Sequence, residues 1–418
     1  MNKLKLLVII ILVNTLNFAQ GEGALTFTTF QQSTYLIGAG QIGVSIPNDD
    51  VLGYYLNPAI LGNSARNNHV SFNVMPNKTN WFWNDMTFHN YGLNLGYDLE
   101  PILNSPIRIG AGFIHNRFYY GEFIITSELG PEPVGKYDSY DSFNCFSLGI
   151  GFDYFAKLNF GISFKTFDSN LGATYVEGNI QKVSSQGSMI DYGMLIVFPI
   201  SELLGNKIIH KIDNSISLMP ITNLSIGYSL SNIGNEIYYI DEDQKDPLSR
   251  TARLGYTLEF GYKLKIEDVE LNLISYSFSA EVNDIMVEPR NEFFTSIKYQ
   301  SGIGDINISE NLISLKANDL VNVHKGHIFN FLNTLNLTYG YFSGRGYPTV
   351  NKTDGIGFST KGIFKLLKKL SNNYTINYIS DHIIFEFFDA NNGLNSDLFG
   401  KTHLNFDSVS LHFVGFEL

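Results

Sequence analysis

The chain predicts an all-β fold, a transmembrane antiparallel β-barrel of about 14 strands. Three observations carry that prediction. Long stretches alternate strictly between apolar and polar residues, which is the period of a strand. The polar positions in those stretches are mostly Gly, Ser and Asn rather than Lys, Glu and Thr, which fits a crowded lumen better than a face in bulk water. Charged residues make up only 16% of the 418, while the chain holds 33 Phe and 24 Tyr. A soluble β-sandwich shares the alternation but not the other two features.

Taken in chain order, the first element is MNKLKLLVIIILVNTLNFAQ, with Lys3 and Lys5 ahead of an apolar run from Leu6 to Val13. This reads as a secretory signal peptide over residues 1–19, with cleavage after the small Ala19. No later stretch offers the run of about 20 apolar residues that a spanning helix needs. The net charge of −12 and the lack of a basic tract argue against nucleic acid as a partner. Cys145 is the single cysteine, so no internal disulfide is available.

Residues 20–65 precede the predicted barrel. Within them Gly38-Ala-Gly40-Gln-Ile-Gly43 matches the dinucleotide fingerprint G-x-G-x-x-G, and Thr34 to Ile37 reads as the strand ahead of it. The rest of that motif is missing. Pro47 stands where the helix should run, no acidic residue lies between Asp50 and Asp85, and no βαβ rhythm follows. No cofactor is therefore expected, and the glycines are read instead as places where backbones pack closely.

The predicted barrel is residues 66–418. Its cleanest strand is TARLGYTLEFGYKLKI, from Thr251 to Ile266. Phe146 to Tyr154 and Leu158 to Phe164 form two more that reverse near Ala156-Lys157, and Leu224 to Leu230 and Leu335 to Tyr341 repeat the pattern. Cys145 shares the phase of Ser147 and Gly149 and is expected to face the lumen. Ile125 to Ser142, Asn232 to Arg250 and Asp389 to His403 are polar and read as loops. Lys361 to Leu370 has Ile363, Leu366, Leu367 and Leu370 on one helical face, with lysines on the other, and predicts a short amphipathic helix. The last strand, ending SVSLHFVGFEL, should pair with the first, with a bulge near Gly415.

Two apparent catalytic signals are weak. His324 and His327 have H-x-x-H spacing without a third ligand, and read as a solvated loop pair rather than a metal site. No nucleophile turn of the G-x-S-x-G kind occurs, so no catalytic residue is assigned.

The stretch GAGQIGVSIPNDDVLGYYLNPAIL resembles the N-terminal signature of the FadL-like superfamily of outer-membrane barrels, and within it the PorV/PorQ-like branch. The residues carrying the likeness are Gly38, Gly40, Gly43, Asp49, Asp50, Asn57, Pro58 and Ala59. Asn232 to Gly234, Pro247 and Arg253 to Gly255 resemble the same branch, whereas Val51-Leu-Gly-Tyr-Tyr departs from its alanine-rich stretch. The resemblance implies a non-enzymatic barrel in the outer membrane, in contact with its lipid, with residues 20–65 folded inward as an N-terminal plug segment. It implies a role as an accessory of type IX protein secretion, binding exported proteins or translocon components through loop residues such as Tyr238, Tyr239, Asp241, Glu242 and Asp243. The wider superfamily implies the alternative, a passive transporter of long-chain hydrophobic molecules with a hydrophobic ligand in an apolar pocket beside the plug.

Overall fold

A computed structural model describes residues 23–76, 86–127, 130–176, 179–205, 209–212, 215–243, 245–267, 269–287, 298–371, 373–396 and 400–416. The signal peptide expected over residues 1–19 lies outside them. The strands are β1 (His69–Met75), β2 (Thr87–Asp98), β3 (Ile107–Ser127), β4 (Gly130–Asp153), β5 (Lys157–Val176), β6 (Asn179–Pro199), β7 (His210–Lys211), β8 (Ile216–Ile233), β9 (Thr251–Ile266), β10 (Val269–Ile285), β11 (Val321–Phe331), β12 (Leu335–Gly344), β13 (Tyr347–Ser359), β14 (Ile383–Ser396) and β15 (Gly400–Val414).

Every pairing between these strands is antiparallel. The two-residue β7 pairs only with β8, and the other fourteen close into a ring. Closure is made twice over, by β15 against β1 (Phe413 opposite Val70) and by β6 against β8 (Val197 opposite Ser225). A closed ring leaves no unpaired edge, which a sheet inside lipid requires.

Alternation decides which face is which. Phe146 and Leu148 on β4 are 54% and 58% exposed while Ser147 between them is 3% exposed. The same holds on β5, where Phe160, Ile162 and Phe164 point out and Asn159, Ser163 and Lys165 are buried. The apolar side is therefore outside and the polar side inside, the arrangement of a membrane barrel and the reverse of a soluble one. No helix among the described residues is long and apolar enough to cross a membrane.

The strand expected from Thr251 to Ile266 is β9 residue for residue, and the reversal near Ala156-Lys157 is the β4–β5 turn. Three expectations are corrected. Ile125 to Ser142 and Asp389 to His403 are not loops: most of the first belongs to the β3–β4 hairpin and most of the second to β14–β15. Thr34 to Ile37 is not a strand. It lies in a short helix, Thr34–Gly38, because Ser33 accepts a hydrogen bond from the Leu36 amide at 3.2 Å and caps it. The chain end holds no bulge near Gly415; β15 stops at Val414 and Gly415 turns away at φ +69°.

The two ends of the ring differ. At the end where β1 starts and β15 finishes, the connections β4–β5, β9–β10 and β11–β12 are two or three residues long. The other end carries the long hairpins β3–β4 and β5–β6 and the stretches 234–243, 245–250 and 298–320, while the first end also carries the helical connection from β13 to β14. By the rule that outer-membrane barrels keep short turns inside and long loops outside, the first end is the inner one.

Candidate functional site

Residues 23–66 bond to strands on opposite sides of the ring, which only a segment inside it can do. The sequence-derived positions Gly38, Gly40 and Gly43 meet β10 to β13. Thr353 donates to the Gly38 carbonyl at 2.9 Å and accepts from the Gly40 amide at 2.8 Å. His324 reaches the Gly40 carbonyl at 2.8 Å through Nδ1 and Asn283 through Nε2. Gly40 sits at φ +86°, and a Cβ there would strike the Lys325 carbonyl, so both conformation and space require glycine.

Glu281 on β10 holds the next three residues. Its carboxylate accepts the amides of Gly43, Val44 and Ser45 at 2.8 to 3.0 Å, together with the Ser45 hydroxyl at 3.0 Å. Three successive amides converging on one buried carboxylate form an anion nest, with the anion supplied by the wall itself.

Asn57, Pro58 and Ala59 lie against the far wall. The Asn57 amide group donates to Val44 at 2.6 Å and to Met194 on β6 at 3.0 Å, and its oxygen accepts from the Ala59 amide at 3.1 Å. Beneath them runs a row of glycines in cross-strand register: Gly96, Gly110, Gly149, Gly161 and Gly193, on β2 to β6. A Cβ on Gly161 would meet the backbone of Pro58 and Ala59, and one on Gly149 would meet Gly62 and Leu61. The five together make a smooth strip on which residues 57–65 rest. Gly227 and Gly255 on β8 and β9 are likewise in register and receive Val44.

Asp49 and Asp50 diverge. Asp50 is buried and accepts from the Leu52 amide at 2.9 Å, and burial pushes its carboxyl up to about 6. Asp49 is exposed and faces Lys361 at 4.0 Å. Val51, Leu52, Tyr54 and Tyr55, where the sequence departs from the resembling family, are all fully buried. Burial also raises the Tyr55 hydroxyl, which donates to the Thr28 carbonyl at 2.7 Å.

Ahead of residue 31 the contacts change character. Leu25 and Phe27 pack into an apolar layer formed by Phe88, Phe118, Phe143, Phe167 and Phe406 on the inward face of the wall. Phe27 lies 5.8 Å and Tyr55 5.3 Å from Phe143, ring to ring. This layer lies outward of the glycine row on β2 to β6 and extends to Phe406 at the middle of β15. Its polar anchors are Asn232, which donates to the Thr28 hydroxyl at 2.9 Å, and Arg253, which donates to the Thr29 carbonyl at 2.7 Å. Lys165 and Asp191 form an ion pair at 2.6 Å beside them, both buried, with the Lys165 ammonium 4.4 Å from the centre of the Tyr55 ring. At the top, Ala24 bridges Leu248, so the start of the described chain is tied to the external segment 234–250.

Sequence reasoning missed Glu281, Lys165, Asp191 and the wall glycines, whose alignment depends on register. It expected an apolar pocket beside the segment. A cavity of about 290 Å³ near the inner end is polar, lined by Asp50, Asn223, Glu259, Asn330, Lys361 and Glu386 among others, while Leu25 and Phe27 belong to the buried apolar cluster farther out. His324 and His327 are not a loop pair either. Both are on β11, three residues apart and therefore on opposite faces, so they cannot share a metal. No metal-binding group occurs among the described residues. Cys145 faces inward, buried, 3.5 Å from Ser147. In the external segment Tyr238, Asp241, Glu242 and Asp243 are exposed, whereas Tyr239 turns in and bonds Ser169 at 2.9 Å.

No family model and no curated relative matches the chain. Among solved structures it is similar to the toluene transporter TbuX of Ralstonia pickettii, at 10% identity over 91% of this chain and 98% of that one, with a TM-score of 0.44. The toluene transporter TodX of Pseudomonas putida gives 10% identity, 93% and 98% coverage and a TM-score of 0.41. A FadL homologue of Pseudomonas aeruginosa gives 10% identity, 92% and 96% coverage and a TM-score of 0.35. At this level of likeness nothing follows about what this barrel carries.

Proposed function

We propose that this is an outer-membrane barrel that takes up hydrophobic molecules from the outer side, with residues 23–66 acting as its plug and residues 24–30 as the part that moves. The observation that supports this reading is the apolar layer. Wall residues that faced only water would not be Phe88, Phe118, Phe143, Phe167 and Phe406, and among the described residues Leu25 and Phe27 belong to the same buried cluster, Phe27 lying 5.8 Å from Phe143 ring to ring. Withdrawal of Leu25 and Phe27 leaves an aromatic-lined chamber in the outer half of the lumen, suited to an apolar solute. Farther in, the polar cavity offers such a solute less favourable contact, so binding weakens toward the inner side and release is favoured there.

The role in type IX secretion rests on the sequence resemblance alone. That reading assigns a secreted partner to the external segment, where Tyr238, Asp241, Glu242 and Asp243 are exposed.

The transport reading is tested with a photoactivatable long-chain hydrocarbon added to the barrel in lipid vesicles. Label should appear on peptides containing Phe88, Phe118 or Phe167 and be displaced by excess unlabelled hydrocarbon. Label confined to outward residues such as Phe146 and Phe160 would contradict it.

A further inference from the structure

The helix Lys361–Leu370 joins β13 to β14 through a second helix, Tyr374–His382, at the inner end of the ring. The lysines face the protein: Lys365 donates to the Glu270 carbonyl at 2.8 Å, Lys368 pairs with Asp381 at 2.7 Å, and Lys369 pairs with Glu267. The opposite face, Ile363, Leu367 and Leu370, is exposed, with Leu370 83% exposed, and Tyr374 and Tyr378 of the second helix continue the patch.

The helix lies on the outer side of the wall. Val269 and Leu271 on β10 pair with Ile266 and Leu264 on β9, which share the outward phase of Phe260 and Tyr262. Phe260 and Tyr262, higher on the same face, are exposed, yet Val269 and Leu271 are only 7% and 2% exposed. The helix packs there, its lysines fastened to Glu267 and Glu270 on either side. Its apolar stripe is therefore continuous with the lipid-facing band of the barrel, which Phe358, Phe385 and Phe413 carry down to this rim.

We infer that the helix pair is a foot set into the inner leaflet of the membrane, with Ile363, Leu367 and Leu370 in the boundary between acyl chains and head groups and Tyr374 and Tyr378 at head-group level. Its partner is hydrocarbon, since the lysines that could seek anionic head groups are spent on the protein. Insertion is accordingly independent of lipid charge. Lys361 at the start of the helix faces Asp49, so the foot also touches the interior segment at the cavity mouth.

The test is the placement of a nitroxide in reconstituted protein carrying Cys145→Ser, attached at Leu370→Cys and, as a reference for water, at Asp243→Cys. In vesicles of phosphatidylcholine alone and in vesicles containing phosphatidylglycerol, the Leu370→Cys label should collide with oxygen relative to a nickel chelate several-fold more often than the Asp243→Cys label. Ile363→Cys, nearer the rim, gives a second site with the same expectation. Ratios equal to that of the external loop would overturn the inference, as would a membrane-like ratio seen only with the anionic lipid.

Discussion

At the scale of single residues, the interior is held by polar groups whose burial would be costly if any partner were lost. Glu281 shows the pattern: a carboxylate with no cation bonded to it among the described residues is satisfied by three amides and a hydroxyl, so the wall and residues 43–45 are each incomplete without the other. Asp50 carries a residual penalty. Burial raises its folded pKa to about 6, above the ordinary carboxylate value near 3.8. The folded state therefore binds the proton more tightly than the unfolded one. Its contribution to stability is fully present below about pH 4 and is lost as pH rises through 6, on the order of 3 kcal/mol in all. Asp50→Asn should raise the thermal midpoint at pH 8, leave it nearly unchanged at pH 4, and flatten the pH dependence between. Equal pH profiles for the two proteins would remove Asp50 from this account.

At the scale of elements, the decisive device is the strip from Gly96 to Gly193, five glycines on five neighbouring strands at one height. It lets residues 57–65 approach the wall backbone to backbone. Gly161→Val places a side chain where Pro58 and Ala59 lie and should cost about 3 kcal/mol. Protease resistance of residues 23–66 should fall with it, while Ile162→Val on the lipid face leaves both unchanged. Full protection in Gly161→Val would show that the strip is not a seat.

Much of the element structure was legible in the sequence. β9 is an uninterrupted alternation because one face meets lipid along its whole length, and Cys145 followed the phase of Ser147. The hairpins within Ile125 to Ser142 and Asp389 to His403 were misread because a strand that extends past the bilayer has water on its outer face. It then loses the apolar face that reveals it. His324 and His327 were misread for a related reason: β11 carries a histidine on each face, so no clean alternation marks it. The sequence singled out Gly38, Gly40 and Gly43 but not their partners, because Gly40 meets Thr353 and His324 across some three hundred positions of chain.

At the scale of the whole molecule, the ring is a stack of three layers. An apolar layer lies in the outer half, a waist follows where residues 38–62 are bonded and seated against the wall, and a polar cavity lies inside. The foot at the inner rim adds a fixed depth in the membrane. The proposed path begins where residues 24–30 cover the aromatic layer and where Ala24 is bridged to Leu248. Neighbouring positions of a bridge are close enough for a disulfide.

The most direct measurement is uptake of a fluorescent long-chain hydrocarbon probe into vesicles holding Ala24→Cys with Leu248→Cys in a Cys145→Ser background. Oxidation should cut uptake to the level of empty vesicles and reduction should restore it. Unchanged uptake with the disulfide closed would contradict the claim that residues 24–30 gate the barrel.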